Sequence, residues 1–392
     1  MLQKTIAHGL FKKIKYGGIK VTYWDGDSRI YGSLKSPKLH ITIKDPGVIN
    51  EMAKNVSMAV GEAYMDERIL VDGPLDQLGA MGLLNAEAIK LHALNSMFKG
   101  FNNNAERNQK SQIAHHYDLG NDFYKLWLDP SMTYTCAYFK TKQDSLEKAQ
   151  ENKRLHVLKK LHLEKGMTLL DIGCGWGALL IEAAQRYGAK GLGVTLSEEQ
   201  FRLANEKIKK LGLQKLVEVR LMNYLDIPKL KRRFDRVVSV GFFEAVGRDN
   251  LDDYFSVVDD ALKLGGVSVL HTITNEAPEP TDAWNDKYIF PGAYIPNIPE
   301  IAEHLSQHHF YPKDFESLGQ HYAMTLRKWW TEFEKHKGRV IDMYDERFYR
   351  MWRLYLAESV AAFEVGFLGL SQWTFTKGYS TDWPMTRDYL YK

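Results

Sequence analysis

Apolar runs of strand length alternate from Thr168 onward with stretches in which apolar residues recur every three to four positions. The runs predict strands, and the longer stretches predict amphipathic helices. Predicted strands cover 168–172, 191–195, 217–221, 236–240 and 267–272, and predicted helices cover 178–186, 198–211 and 250–262. This alternation favours a doubly wound, mainly parallel α/β sheet, whose ligand lies beyond the carboxyl ends of the strands.

Five residues suited to binding or chemistry stand at or close to those carboxyl ends. They are Gly173, Thr195, Asn223, Glu244 and His271. Because parallel strands end at the same edge of a sheet, we expect these residues to lie near one another. This convergence predicts the location of a functional site.

A different pattern occupies the first hundred residues. The predicted elements are helices over 1–15, 47–64 and 75–94 and strands over 19–24 and 39–43. We therefore expect a small α/β or α+β domain over 1–100, a polar, asparagine-rich linker over 101–110, and a second domain over 111–392. The helix over 1–15 has lysines beside its apolar side, so it could contact anionic lipid or pack on its own domain.

An aromatic-rich, helical stretch over 326–367 follows late in the chain. We expect most of its aromatic side chains to pack against the sheet.

Composition removes several classes of protein. A net charge of +3 and the lack of a basic stripe disfavour nucleic acid as a partner. Two cysteines exclude a disulfide scaffold and fit a reducing compartment. No apolar run reaches the roughly 18–20 residues that span a bilayer, and we see no signal peptide. We expect a cytoplasmic protein, and no set of metal ligands is predicted.

Three glycines on alternate positions, Gly173, Gly175 and Gly177, follow the first strand of the alternating region. Glycine lets backbone approach a bulky ligand, and the N-terminus of the next helix offers unpaired N–H groups. Such turns also bind NAD or FAD, but a dinucleotide site needs an acid about 20 residues further on. The second strand ends at Thr195 without one, which points toward S-adenosylmethionine.

Several motifs in a fixed order make the chain resemble the cyclopropane fatty acid synthases, including the mycolic acid cyclopropane synthases and related methyltransferases. The motifs are His116–Asp122, Tyr134–Tyr138, Leu170–Gly177, Val194–Gln200, Val238–Gly247 and His271–Ile273. The resemblance covers roughly residues 110–390. It implies a Rossmann-like class I methyltransferase domain, and residues 1–100 resemble the extra domain of members that act on intact phospholipids.

The resemblance also implies an activity and a site. Members transfer the methyl group of S-adenosylmethionine to the cis double bond of an unsaturated acyl chain and hold a bicarbonate ion as the base. The matching bicarbonate positions are Cys136 and Ile273, mainly through backbone, with Glu244, His271 and Tyr322. The matching cofactor positions are Tyr134, Thr135, Gly173, Gly175, Gly177, Thr195, Leu196, Ser197, Gln200, Asn223 and Tyr224.

The chain departs from the family pattern at a few positions. Ala245 stands where many members have His, Asn223 where many have Asp, and Thr135 where Ser is common. Asn223 keeps a hydrogen-bonding side chain but loses a charge, which affects the expected adenine contact. Ser359 stands where some members have Cys, which speaks against an essential nucleophile there.

Two alternatives remain open at this point. The same fold could end the reaction as a methyl branch or a methylene group, or the chain could bind S-adenosylmethionine at a lipid surface without catalysis. We expect peripheral contact with the inner face of the membrane, because the substrate would be unsaturated phospholipid. The sequence leaves the oligomeric state open, and a homodimer is one arrangement that fits.

Overall fold

The computed structural model describes residues 2–86, 119–275, 282–379 and 383–391. The predicted linker over 101–110 and the start of the motif at His116 lie outside these ranges. The chain divides into two compact units. The first comprises Met1–Phe101, Pro280–Pro291 and Leu326–Leu368, and the second comprises Asn102–Glu279, Gly292–Thr325 and Gly369–Lys392.

The described strands, numbered in chain order, form two sheets. They are β1 (Gly18–Thr22), β2 (Ser28–Gly32), β3 (Leu39–Ile43), β4 (Ile69–Asp72), β5 (Thr168–Ile172), β6 (Lys190–Thr195), β7 (Val217–Leu221), β8 (Phe234–Val240), β9 (Leu262–Asn275), β10 (Phe310–Ser317) and β11 (Leu368–Lys377).

The described helices are mostly short. The α-helices are Leu2–Phe11, Gly47–Met52, Val56–Met65, Leu75–Leu84, Asn121–Tyr124, Leu146–Lys160, Ala178–Tyr187, Glu198–Lys210, Leu251–Ala261, Ala283–Tyr288, Ile298–Gln307, Gly319–Lys335, Lys337–Met343, Glu346–Glu364 and Asp388–Tyr391. Three 3₁₀ turns cover Tyr224–Leu230, Phe243–Ala245 and Arg248–Asn250.

The second unit is built on a seven-stranded sheet in the order β10-β11-β9-β8-β5-β6-β7. Strands β5 to β9 pair in parallel, and β10 pairs with β11 in the antiparallel sense. The prediction of a mainly parallel, doubly wound sheet is therefore confirmed, and each of the five predicted strands is present.

Apolar side chains cover both faces of this sheet. Leu170 and Val237 belong to one buried cluster, and their neighbours Leu169 and Val238 belong to another. Because successive side chains of a strand point to opposite faces, the two clusters lie on opposite sides of the sheet. Burial on both faces explains why the strands read as continuous apolar runs.

The first unit contains a mixed four-stranded sheet in the order β2-β1-β3-β4. The predicted helix over 47–64 is two helices in the structure, because Asn55 accepts a hydrogen bond from Met58 N–H and begins a new one. The first helix, Leu2–Phe11, buries Ala7 and Phe11 in the core of this unit but leaves Leu2 72% exposed.

The aromatic late stretch differs from the sequence-based expectation. The helix Glu346–Glu364 packs on the helices Val56–Met65 and Leu75–Leu84 of the first unit. Its side chains reach backbone as well, since Arg350 donates to the Tyr64 carbonyl at 2.7 Å. The prediction that this stretch packs mainly on the sheet was therefore wrong for this helix.

Close packing of a helix on β6 gives a test of the fold. An added Cβ at Gly193 would stand 2.6 Å from Cys174 Sγ and 2.7 Å from Leu180 Cδ1. We expect Gly193→Ala to lower the free energy of unfolding by about 1–3 kcal/mol, because overpacking forces side chains aside. Urea unfolding measures the change. Gly82→Ala is the control, since its Cβ meets no atom within 4 Å; equal stability loss in both variants would contradict the prediction.

Candidate cofactor and catalytic site

The glycine turn begins where β5 ends. Gly173, Gly175 and Gly177 all have positive φ, at 79°, 53° and 78°, which side chains other than glycine rarely adopt. At Gly173 space is also lacking, because an added Cβ would lie 2.6 Å from the Phe242 side chain. The helix Ala178–Tyr187 starts directly after Gly177. The turn therefore brings bare backbone and a helix N-terminus to the edge of the sheet.

A pocket opens above this turn, at the carboxyl ends of β5, β6 and β8. Its lining includes seven of the predicted cofactor residues, namely Tyr134, Thr135, Gly173, Gly175, Thr195, Leu196 and Gln200. Ala245, one of the departures from the family pattern, also lines it. The other predicted cofactor residues, Gly177, Ser197, Asn223 and Tyr224, are not among the lining residues.

Three of these four residues make internal contacts in the structure. Ser197 is fully buried and accepts a hydrogen bond from Gln200 N–H at the start of a helix. Asn223 accepts from Leu225 N–H at the start of the 3₁₀ turn. Tyr224 is buried with its ring 5.4 Å from that of Phe242. Contact of these residues with the cofactor stays a prediction from the family resemblance.

A buried pair of charged residues in the pocket was not anticipated. Lys153 is 4% exposed and donates to the Thr135 hydroxyl at 2.7 Å. Burial, with a contribution from Arg154, lowers the pKa of Lys153 to about 7. Burial raises the pKa of Asp171 to about 7, although Lys153 acts in the other direction. A carboxyl group in this position is suited to a ligand that carries positive charge, as the sulfonium of S-adenosylmethionine does.

Little in the sequence could have revealed Lys153. It lies on the helix Leu146–Lys160, whose composition is so polar that an exposed helix would be expected. The structure buries nine residues of this helix, including Gln150 and Asn152. Asp171 carried a weak signal, because it is an acid inside an apolar strand run.

Beside the pocket, the structure brings together three of the predicted bicarbonate residues. Glu244 Oε1 accepts a hydrogen bond from Ile273 N–H at 2.7 Å. His271 and Ile273 are two positions apart on β9 and so face the same side of the sheet. The N–H of Ile273 is thus already used, and in this structure it orients Glu244.

Two buried polar atoms of this cluster have no hydrogen-bond partner among the residues described. They are Glu244 Oε2 and His271 Nε2. Burial raises the pKa of Glu244, while burial and the charge of Lys153 hold the pKa of His271 well below its usual value. A neutral imidazole and a readily protonated carboxyl thus each present a buried polar atom to which a small polar ligand could bond.

Gln372 on β11 sets the state of the imidazole and was missed from sequence. Its Nε2 lies 2.9 Å from His271 Nδ1. With the amide donating, Nδ1 accepts and Nε2 carries the proton, so that the unpartnered nitrogen is a donor. No motif marks Gln372, because it is about a hundred residues away from His271 in the chain.

Thr325 links the segment that carries Cys136 with the helix that carries Tyr322. Ala137 N–H donates to the Thr325 hydroxyl at 3.0 Å, and Tyr322 lies one turn earlier on the same helix. Burial raises the pKa of the Cys136 thiol far above its usual range, which excludes a thiolate. Burial is the largest influence on the pKa of Cys136, Asp171 and His271, and the charge of Lys153 acts to lower each of these three pKa values.

Fold and pocket define a class I S-adenosylmethionine-dependent methyltransferase, and comparison with known proteins agrees. Residues 104–373 match the family described as mycolic acid cyclopropane synthetase, and residues 6–90 match a domain of unknown function. The chain belongs to the mycolic acid cyclopropane synthetase family.

Similarity to known proteins extends over most of the chain. A probable fatty acid methyltransferase of Pseudomonas putida is 34% identical, over 95% of this chain and 96% of its own length. The cyclopropane-fatty-acyl-phospholipid synthase of Escherichia coli K12 is 37% identical, over 86% and 88%. The structure of the mycolic acid cyclopropane synthase CmaA1 complexed with SAH and CTAB superposes with a TM-score of 0.65 at 34% identity, covering 68% of this chain and 98% of that one.

The raised pKa of Asp171 predicts how stability without cofactor depends on pH. In the unfolded chain this carboxyl ionises near its usual pKa of 3.8, whereas the folded state retains the proton up to about 7. The folded state therefore binds the extra proton between these values, and stability falls as pH rises through that window. We expect Asp171→Asn to remove this part of the slope in urea unfolding at pH 4.5 and 7.5.

The control is Asp235, an acid whose pKa is shifted in the opposite direction. At Asp235, burial is outweighed by hydrogen bonds from Lys263 and Thr168, and its pKa falls to about 2. Asp235→Asn should lower stability at neutral pH. An unchanged pH slope in Asp171→Asn would show that Asp171 is ionised in the folded protein.

Proposed function

We propose that the chain is a cyclopropane-fatty-acyl-phospholipid synthase that uses S-adenosylmethionine and a bicarbonate ion. The observation that carries this proposal is the cluster of Glu244, His271 and Ile273 beside the cofactor pocket, in which Glu244 Oε2 and His271 Nε2 are buried and have no hydrogen-bond partner among the residues described. The similarity to the Escherichia coli synthase over most of the chain supports the choice of unsaturated phospholipid as acceptor.

The reaction sets the demands on the site. Attack by the alkene forms a bond to the methyl carbon, breaks the methyl–sulfur bond and leaves a cation on the other alkene carbon. Loss of a proton from the new methyl group lets the freed electron pair close the ring. Bicarbonate, when bound, would supply the base that takes this proton.

The residues present fit such an anion. His271 would donate from Nε2, and its lack of charge leaves the base strength of the ion intact. Glu244, with its raised pKa, can hold a proton and donate it, or accept one from the ion. Ile273 would act by orienting Glu244, and Cys136 would form part of a dry wall, since both Cys136 and His271 are 1% exposed. Exclusion of water protects the cation from capture.

Contact with the membrane surface belongs to the same proposal, because the acceptor is a bilayer lipid. Among the residues described, no helix is both long enough and apolar enough to cross a bilayer. The exposed Leu2 and Ile6 of the first helix offer an apolar contact, and we propose peripheral binding at the cytoplasmic face. A homodimer remains a prediction from sequence.

The product is the first thing to test. Incubation of the protein with S-adenosylmethionine labelled in the methyl group and vesicles of cis-unsaturated phospholipid should give labelled cyclopropane carbons in the NMR spectrum of the lipid. A methyl branch or methylene group would replace the proposed product but retain the methyltransferase. The Pseudomonas putida relative is named as a probable fatty acid methyltransferase, which leaves its product open. Cofactor binding without any turnover would favour the non-catalytic alternative.

The roles of Glu244 and His271 give a second test. We expect Glu244→Gln and His271→Ala each to lower kcat by about 100-fold or more, because each removes a group that holds or serves the base. Affinity for S-adenosylmethionine, measured by calorimetry, should stay within about threefold of the parent, since neither residue lines the cofactor pocket.

Glu303→Gln is a matched control, because Glu303 is exposed and bonded only to Gln307 among the residues described. It should keep full activity. Loss of cofactor affinity in both site variants would mean that these residues support the cofactor pocket and not the base.

A further inference from the structure

Two histidines and an aspartate lie close together on the surface of the second unit, away from the residues used above. His304 is on the helix Ile298–Gln307, His308 follows the end of that helix, and Asp252 is on the helix Leu251–Ala261. A spacing of four residues places the two imidazoles on the same side of their helix. One ligand atom from each of the three residues lies within 4.8 Å of the others.

The distances suit a tetrahedral metal ion. In such a site, with bonds of about 2.0–2.1 Å, neighbouring ligand atoms are about 3.3 Å apart. Here Asp252 Oδ1 is 2.8 Å from His308 Nε2 and 3.8 Å from His304 Nδ1. Each of these two distances is about half an ångström from that value, and the third pair of ligand atoms lies within 4.8 Å. Side-chain rotation can supply shifts of this size.

His304 is the observation that a simple ion pair does not explain. The contact of His308 with Asp252 at 2.8 Å is an ordinary hydrogen bond. His304 Nδ1, in contrast, is buried and has no hydrogen-bond partner among the residues described. A buried nitrogen without a partner is costly, and a ligand would relieve that cost.

Phe255 holds both rings in place. Its ring is stacked with that of His304 at 5.5 Å and with that of His308 at 6.0 Å between centroids. Because Phe255 is itself fully buried, the two imidazoles lose little freedom when they bind an ion. Such preorganisation favours affinity.

We propose that Asp252, His304 and His308 bind one divalent transition-metal ion, for which zinc is the representative. Two imidazoles and one carboxylate fit this class, whereas calcium and magnesium take oxygen ligands. Asp252 is largely exposed, so water would complete the coordination. The ion would join the helices Leu251–Ala261 and Ile298–Gln307.

A metal ion that links these two helices would also affect the turn that carries Glu244. Phe243, its neighbour, packs against Tyr254 and Phe255 with centroids 4.7 Å and 5.6 Å apart. Just before the second helix, Tyr294 N–H donates to the Glu244 carbonyl at 2.9 Å. A metal ion at the surface would therefore stabilise the two elements between which the turn is held.

Titration of the tag-free, chelator-treated full chain with zinc chloride tests the proposal by calorimetry. We expect one ion per chain, and a midpoint of thermal unfolding that rises by a few degrees in excess zinc. His304→Ala and Asp252→Asn should each weaken binding by about tenfold or more, since each removes one ligand. His309→Asn is the control, as His309 is exposed, adjacent in sequence and in a left-handed conformation that Asn tolerates.

Equal zinc affinity in the parent and the two ligand variants would overturn the proposal. If His304→Ala does not fold, Asp252→Asn and X-ray absorption of the zinc-loaded parent decide the matter. Two imidazoles in the metal shell support the site, and a shell of oxygen atoms alone contradicts it.

Discussion

The hydrogen bond from Ile273 N–H to Glu244 depends on the parallel pairing of β8 with β9. Parallel pairing places Val240 at the end of β8 opposite His271 on β9, and Gly241 N–H then donates to the His271 carbonyl at 2.8 Å. Because the two strands run in the same direction, the turn that leaves β8 passes over the continuing β9 and can bring Glu244 back to it. An antiparallel partner would carry the chain away from this edge. The register of this one strand pair thus decides whether Glu244 and His271 come together.

Buried ionisable groups impose a cost that the large core of this unit must offset. Lys153 and Asp171 lie in the pocket with pKa values moved toward each other, to about 7 in both cases. Each is costly to bury with its charge, and together they make the pocket without ligand a weak point in the fold. The same property suits a pocket for a charged ligand. Groups close to half protonation can adjust to added charge by exchanging protons, without rearrangement of side chains.

Features that follow from a short stretch of sequence were predicted, whereas features that depend on contacts between distant segments were missed. The strands of the second unit, the glycine turn with its three positive φ angles, and the place of His271 on the last of the predicted strands all follow from short patterns. The predicted end of that strand was too early, because β9 continues to Asn275. Lys153 did not, because a charged residue on a polar helix is usually exposed, and only the tertiary structure buries it. Gln372 and the packing of Glu346–Glu364 depend on contacts between segments far apart in the chain. No local pattern contains that information.

The wall of the cofactor pocket next to Glu244 affects which product the proposed reaction would give. The cation that follows methyl transfer can lose a proton to any base within reach. Loss from the new methyl group closes the ring, whereas loss from another carbon leaves a double bond, so the position of the base decides between the products. Ala245 lines the cofactor pocket directly after Glu244. This is the position noted above as a departure from the family pattern, in which His is common. A methyl group there can neither accept a proton nor bind water. On that side of the pocket Ala245 therefore adds no second base, which is consistent with the proposed removal of the proton at Glu244 and His271.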